Sequence, residues 1–115
     1  MSQHRKRRGM RSQKLVAEAL AANGWPFAES AGAGRSGADV TGTPDIAVEV
    51  KARTNFDPLA WLRQAEAAAD GRLPFVVVRC NGQGETVGDY PAMLRFADLI
   101  QLLKDAGYGD QGKPT

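Results

Sequence analysis

Between Ser12 and Ala22, Leu15, Val16, Ala19 and Leu20 recur at helical spacing, and Asn23-Gly24 supplies a stop, so the pattern predicts an amphipathic helix. Trp25 to Ser30 is short and contains Pro26, which reads as an edge strand, and the small, glycine-rich run from Ala31 to Gly37 reads as a mobile loop. Ala38–Thr41 and Ile46–Ala52 flank the turn composition Gly42-Thr43-Pro44-Asp45, which predicts an antiparallel hairpin with Asp39 nearly opposite Glu49. Along the second of these strands the rhythm is two: Ile46, Val48 and Val50 face one way, Ala47, Glu49 and Lys51 the other.

Asp57-Pro58 reads as an N-cap followed by proline at the first helical position, and Leu59, Trp61, Leu62, Ala65 and Ala69 carry that helix to Asp70-Gly71. Pro74 to Cys80 is a buried strand, Asn81 to Glu85 a turn, and Thr86 to Phe96 a returning strand interrupted by Pro91. Ala97 to Ala106 closes the fold as a helix ended by Gly107, and the tail from Tyr108 to Thr115 carries no core-forming pattern. The order is αβββαββα: an α/β fold with a central mixed β-sheet flanked by helices. At 115 residues this is one domain, predicted over 12–107 between a basic flexible arm, 1–11, and a flexible tail, 108–115.

Charge changes the picture at the N-terminus. The net charge of +2 conceals a segment, residues 1–14, with Arg5, Lys6, Arg7, Arg8, Arg11 and Lys14 and no acid, so the rest of the chain is net negative. Such a block favours polyanions, because lysines and arginines that neutralise phosphates release counterions; it also describes a solubilising tail. One cysteine, Cys80, and one histidine, His4, leave no cluster of soft ligands for zinc, so any metal must be hard and oxygen-bound. No apolar run approaches a membrane span and no apolar segment follows the basic start, which predicts no membrane association and a cytoplasmic location.

Opposite charges at consecutive positions of one strand face pair or do chemistry, since burying an unpaired charge is costly. Asp45 and Glu49 lie four residues apart on one strand, about 13 Å at ~3.3 Å per residue, too far for one ion to bridge readily. Asp39 falls within the roughly 5–8 Å of cross-strand and diagonal neighbours of Glu49 and is the better partner. Two carboxylates and a backbone carbonyl describe a Mg2+ or Mn2+ site, with Lys51 placed to hold a phosphate or orient the attacking water. On spacing alone the same residues also describe a surface hairpin with an ordinary Glu49/Lys51 pair. Gly32, Gly34 and Gly37 match a G-x-G-x-x-G string, but a strand follows where a dinucleotide site needs a helix. A glycine-rich loop carrying Arg35 suits closure on a DNA backbone instead.

The first helix, the segment AGAGRSGADV, the hairpin and VEVK together resemble the PD-(D/E)xK nuclease superfamily, and within it the Holliday-junction-resolvase-like proteins of archaea and phages. The GADV segment, proline-containing turn, EVK and following WLRQA are similar to small nucleases of actinobacterial phages, over roughly residues 12–106. The resemblance implies a restriction-endonuclease-like fold, a Mg2+-dependent endonuclease acting on branched DNA, and a homodimer in the cytoplasm, that of the host if the protein is phage-encoded. It implies that Asp39, Glu49 and the Val50 carbonyl hold metal, that Lys51 is the catalytic lysine, and that Gln64 approaches Lys51 or the phosphate. Many relatives place a supporting glutamate on the first helix where this chain has Gln13, which brings no negative charge. Arg53 joins Arg35 and the arm as a candidate DNA contact. A nicking or restriction-like nuclease acting on duplex or flap DNA, and a catalytically inactive DNA-binding recombination accessory protein, are the alternative readings.

Overall fold

The computed structural model describes residues 3–32, 37–53 and 55–109, with the side chains of residues 3 and 4 left out. Arg35 and the tail from residue 110 onward therefore lie outside the described residues. The elements are α1 (Gln3–Ala22), β1 (Glu29–Ser30), β2 (Val40–Thr41), β3 (Ile46–Lys51), α2 (Pro58–Ala67), β4 (Leu73–Val78), a 3-10 turn (Val87–Asp89), β5 (Ala92–Met93) and α3 (Phe96–Asp105). The helix and strand order is the one the pattern predicts, with a mixed three-stranded sheet, β3-β4-β5, and a separate antiparallel pair, β1-β2.

β3 is buried at every position and runs parallel to β4, Ile46 opposite Leu73 and Lys51 opposite Val78, with α2 as the crossover. Parallel strands are covered on both faces, and the two faces of this sheet use different residues. Ile46, Val48 and Val50 pack with Val16 and Ala17 of α1, together with Val40 and Tyr90. Trp61, Leu62 and Ala65 of α2 pack with Val76 and Val78, which places the Glu49 and Lys51 face of β3 beneath α2.

Several elements differ from the pattern. α1 begins at Gln3, so described residues of the predicted flexible arm are helical. Long-range contacts secure this end: Arg8 Nη2 donates to the Cys80 carbonyl at 2.9 Å, and Arg11 makes a two-pronged contact with Glu85 at 3.0 and 3.1 Å. The predicted β2–β3 hairpin does not form a ladder. β2 pairs with β1 instead, Ser30 opposite Val40, and it meets β3 through the Asp39 N–H, which donates to the Val48 carbonyl at 3.1 Å. The predicted edge strand at 25–30 shrinks to Glu29–Ser30, and the strand predicted over 86–96 shrinks to Ala92–Met93, because a 3-10 turn and Pro91 occupy its first half.

α2 ends at Ala67, short of Asp70. Asp57 stands at its N-cap without a side-chain cap bond, and at its other end Arg72 donates to the carbonyls of Ala68 and Ala69 at 2.6 and 2.8 Å. α3 forms where predicted but does not close the fold, since none of its residues is buried. No helix among the described residues is long and apolar enough to cross a membrane.

One glycine is required by its surroundings. Gly42 has φ +79°, and a Cβ there would run into the Phe27 carbonyl. Gly42→Ala is expected to destabilise the fold by about 2 kcal/mol or more, read as a lower midpoint in urea unfolding; an unchanged midpoint would contradict this packing.

Candidate active site

The C-terminal end of β3 carries the site. Alternation turns Glu49 and Lys51 to the α2 side, and burial closes over both: Glu49 is 1% exposed and Lys51 8%. Lys51 Nζ lies 3.5 Å from Glu49 Oε2 and donates to Gln64 Oε1 of α2 at 2.7 Å. Gln64 stands one helical turn from Trp61, whose burial and edge-on contact with Phe56, 5.3 Å between ring centres, hold this part of α2 against the sheet.

Asp39 enters from the start of β2. Its Oδ2 accepts the Val50 N–H at 2.8 Å, while its own N–H is spent on Val48. Main chain on both sides therefore fixes the carboxylate at the β3 edge. The Val48 carbonyl points toward Asp39, and two residues further along the strand the Val50 carbonyl points the same way. Asp45, the other acid of the turn, accepts from Trp25 Nε1 at 2.8 Å and serves the end of α1 instead.

Glu49 is the unusual group. With both carboxyls ionised its Oε1 is buried with no hydrogen-bond donor facing it, although buried polar atoms are nearly always paired; a proton on Glu49 is shared with Asp39 in a side-chain hydrogen bond. Its carboxyl is pushed up to about 7, first by burial and then by the negative charge of Asp39, against the opposing pull of Lys51. A buried carboxylate with an orphaned oxygen beside a second carboxylate is a donor set suited to a hard divalent cation, and Mg2+ or Mn2+ fits the residues present. Among the described residues no third His, Cys, Asp or Glu joins the pair into a larger ligand group.

The other predicted residues are placed as follows. Gln13 is half-buried on α1 and its Oε1 accepts from Ser30 Oγ at 3.2 Å, which ties it to β1, the strand beside that of Asp39. Arg5, Lys6, Arg7 and Lys14 are exposed on α1, and Arg53 is exposed just past the end of β3. Arg8 and Arg11, read from the sequence as DNA contacts, are bonded to the turn at 80–85 and brace α1, with half of the Arg11 side chain exposed.

Arg79 was not singled out by the sequence. It donates to Ser12 Oγ and the Gln83 carbonyl, at 3.3 and 3.2 Å, and lies over the Tyr90 ring at 5.9 Å, joining α1 to the 80–90 segment. No local signal marks it, because its partner on α1 is 67 residues away in the chain.

Compared with known proteins, the chain matches no protein-family model, no curated protein and no solved structure.

Proposed function

We propose that this protein is a divalent-metal-dependent DNA endonuclease that hydrolyses phosphodiester bonds. The observation that carries the reading is the orphaned, buried Oε1 of Glu49 beside Asp39, with Lys51 held at the same point. Asp39, Glu49 and the Val50 carbonyl would hold Mg2+ or Mn2+. Such an ion supplies Lewis-acid activation of water and neutralises charge at the scissile phosphate.

The chain's own residues supply the rest. Lys51 presents a cation to a non-bridging phosphate oxygen, where negative charge builds as the bond breaks. Gln64 fixes the Lys51 amine through its carbonyl oxygen, so the donor is aimed before substrate arrives. Asp39 is anchored beside Glu49 by the Val50 N–H, so the two carboxyls stay together and share a proton that a cation would displace. Exposed Arg5, Lys6, Arg7, Lys14 and Arg53 supply positive charge for the DNA backbone. Branched DNA is the proposed substrate, supported by the resemblance to resolvase-like nucleases.

The test incubates the protein with linear duplex, flap and four-way-junction DNA, in Mg2+ or in chelator. The expected result is cleavage in Mg2+ only, strongest on the junction. Preference for flap or plain duplex would move the substrate to the nicking or restriction-like class. Binding without cleavage on any substrate would replace the nuclease with a DNA-binding accessory protein.

A further inference from the structure

Phe56 is 66% exposed, yet its ring is held: it meets buried Trp61 edge-on, 5.3 Å between centres and 88° between planes. One exposed phenylalanine is ordinary on a protein surface, so its place decides what it can do. The chain between β3 and α2 leaves the C-terminal end of β3, the end that carries Lys51, and Phe56 comes two residues before α2 begins. Trp61 stands one helical turn before Gln64, and Gln64 Oε1 accepts from Lys51 Nζ at 2.7 Å. Following these contacts, ring and amine are no more than about 20 Å apart, roughly six steps of one DNA strand at ~3.4 Å each.

The charge of this stretch suits a polyanion. From Lys51 to Gln64 the chain carries Lys51, Arg53 and Arg63 against one acid, Asp57. Arg53 and Arg63 are exposed, and Arg63 shares the outer side of α2 with Leu59, 51% exposed, four residues before it. Glu66, the next acid along α2, is held by Arg95 at 2.8 and 3.1 Å. A strand of DNA entering the candidate site would therefore meet guanidinium groups for its phosphates and a fixed aromatic ring for a base.

We propose that Phe56 is a stacking platform for an unpaired base of the DNA strand whose phosphate lies at Lys51, a role that rests on the nuclease reading and narrows its substrate. Every base offers a π-face, so an aromatic side chain can take the place of a neighbouring base whatever the sequence. It can do so only where the stack of the DNA is already broken, at a flap or a branch point. Trp61 sets the ring beforehand, so little side-chain freedom is lost when the base arrives. Phe56 thereby selects DNA with an interrupted stack over plain duplex. The other role open to Phe56 is to shield Trp61, and leucine would do that as well as phenylalanine.

The test compares wild type, Phe56→Leu and Phe56→Trp in binding a fluorescently labelled duplex with a single-stranded flap, and the same duplex without one, by anisotropy in chelator. Phe56→Leu is expected to weaken flap binding about tenfold and duplex binding less than about twofold, while Phe56→Trp keeps wild-type affinity. Replacing one of the first six or so unpaired bases by an abasic residue should cost wild type about the same tenfold and Phe56→Leu nothing further, a coupling that a shield over Trp61 would not produce. Equal flap affinity of wild type and Phe56→Leu, or abasic losses as large in Phe56→Leu as in wild type, would overturn the assignment. Because binding is read without metal, a protein that stacks the base but never cleaves in Mg2+ would end the nuclease reading alone. One that cleaves flap DNA with no dependence on Phe56 would end this assignment alone.

Discussion

Glu49→Gln is expected to make the metal-free protein more stable above pH 7 and to remove most of its pH dependence between about 4.5 and 7. In the folded chain the Glu49 carboxyl titrates at about 7 rather than 4.5, because burial and Asp39 disfavour its charged form. The folded state therefore binds the proton more tightly than the unfolded state, and stability falls as pH rises through this window. A shift of this size corresponds to about 3 kcal/mol, lost in full once the pH exceeds the folded value.

Glu66 and Glu85 run in the opposite direction, since Arg95 and Arg11 hold their carboxyls below the ordinary range. Their contribution is present above 4.5 and is lost only as pH falls below it, outside the window set by Glu49. Urea unfolding in chelator at pH 5 and pH 8 is the measurement. Wild type should be weaker at pH 8, and the glutamine variant should be nearly level. A wild-type protein equally stable at both, or a variant with the wild-type slope, would contradict the assignment. A bound divalent cation restores the charged form, so Mg2+ or Mn2+ should raise the wild-type midpoint more at pH 8 than at pH 5.

Lys51→Met is expected to lower single-turnover DNA cleavage by about 1,000-fold with little change in DNA affinity. Removing one preorganised donor to a developing negative charge typically costs a factor of about 100 to 1,000. Gln64→Ala should cost less, about tenfold, because it removes the hydrogen bond that aims the Lys51 amine and leaves the amine itself. The order of the two effects matters as much as their size. A Lys51→Met protein cleaving within tenfold of wild type, or a Gln64→Ala defect larger than that of Lys51→Met, would reject these roles.

The core of the candidate site was legible because it is local. Period two along Ile46–Lys51 and the short turn before it were enough to put Glu49 and Lys51 on one face and to prefer Asp39 to Asp45. The hairpin drawn from the same pattern was not formed, because β2 spends its ladder on β1, and Asp39 reaches β3 through one main-chain bond and its carboxylate.

The early start of α1, at Gln3, was not legible for a physical reason. Residues 3–11 carry no apolar stripe, and the contacts that brace them are made by Arg8 and Arg11 to residues 72 and 74 positions away. Elsewhere the cause is local: Arg72 takes the carbonyls of Ala68 and Ala69 past the end of α2 without a capping motif, and over Thr86–Phe96 Pro91 and a 3-10 turn leave room for only a two-residue strand. α3 shows the opposite limit: its pattern correctly indicates a helix, yet the pattern does not say that none of its residues is buried.

Buried Glu49 and half-buried Asp39 are proposed to stand together to hold a divalent cation. Calorimetric titration of Mn2+ at pH 7, in two buffers of different protonation enthalpy, tests it most directly. Wild type should bind saturably and release protons, because binding forces Glu49 to ionise, while Asp39→Asn and Glu49→Gln should each bind far more weakly. No saturable binding by wild type, or the same isotherm from all three proteins, would contradict it.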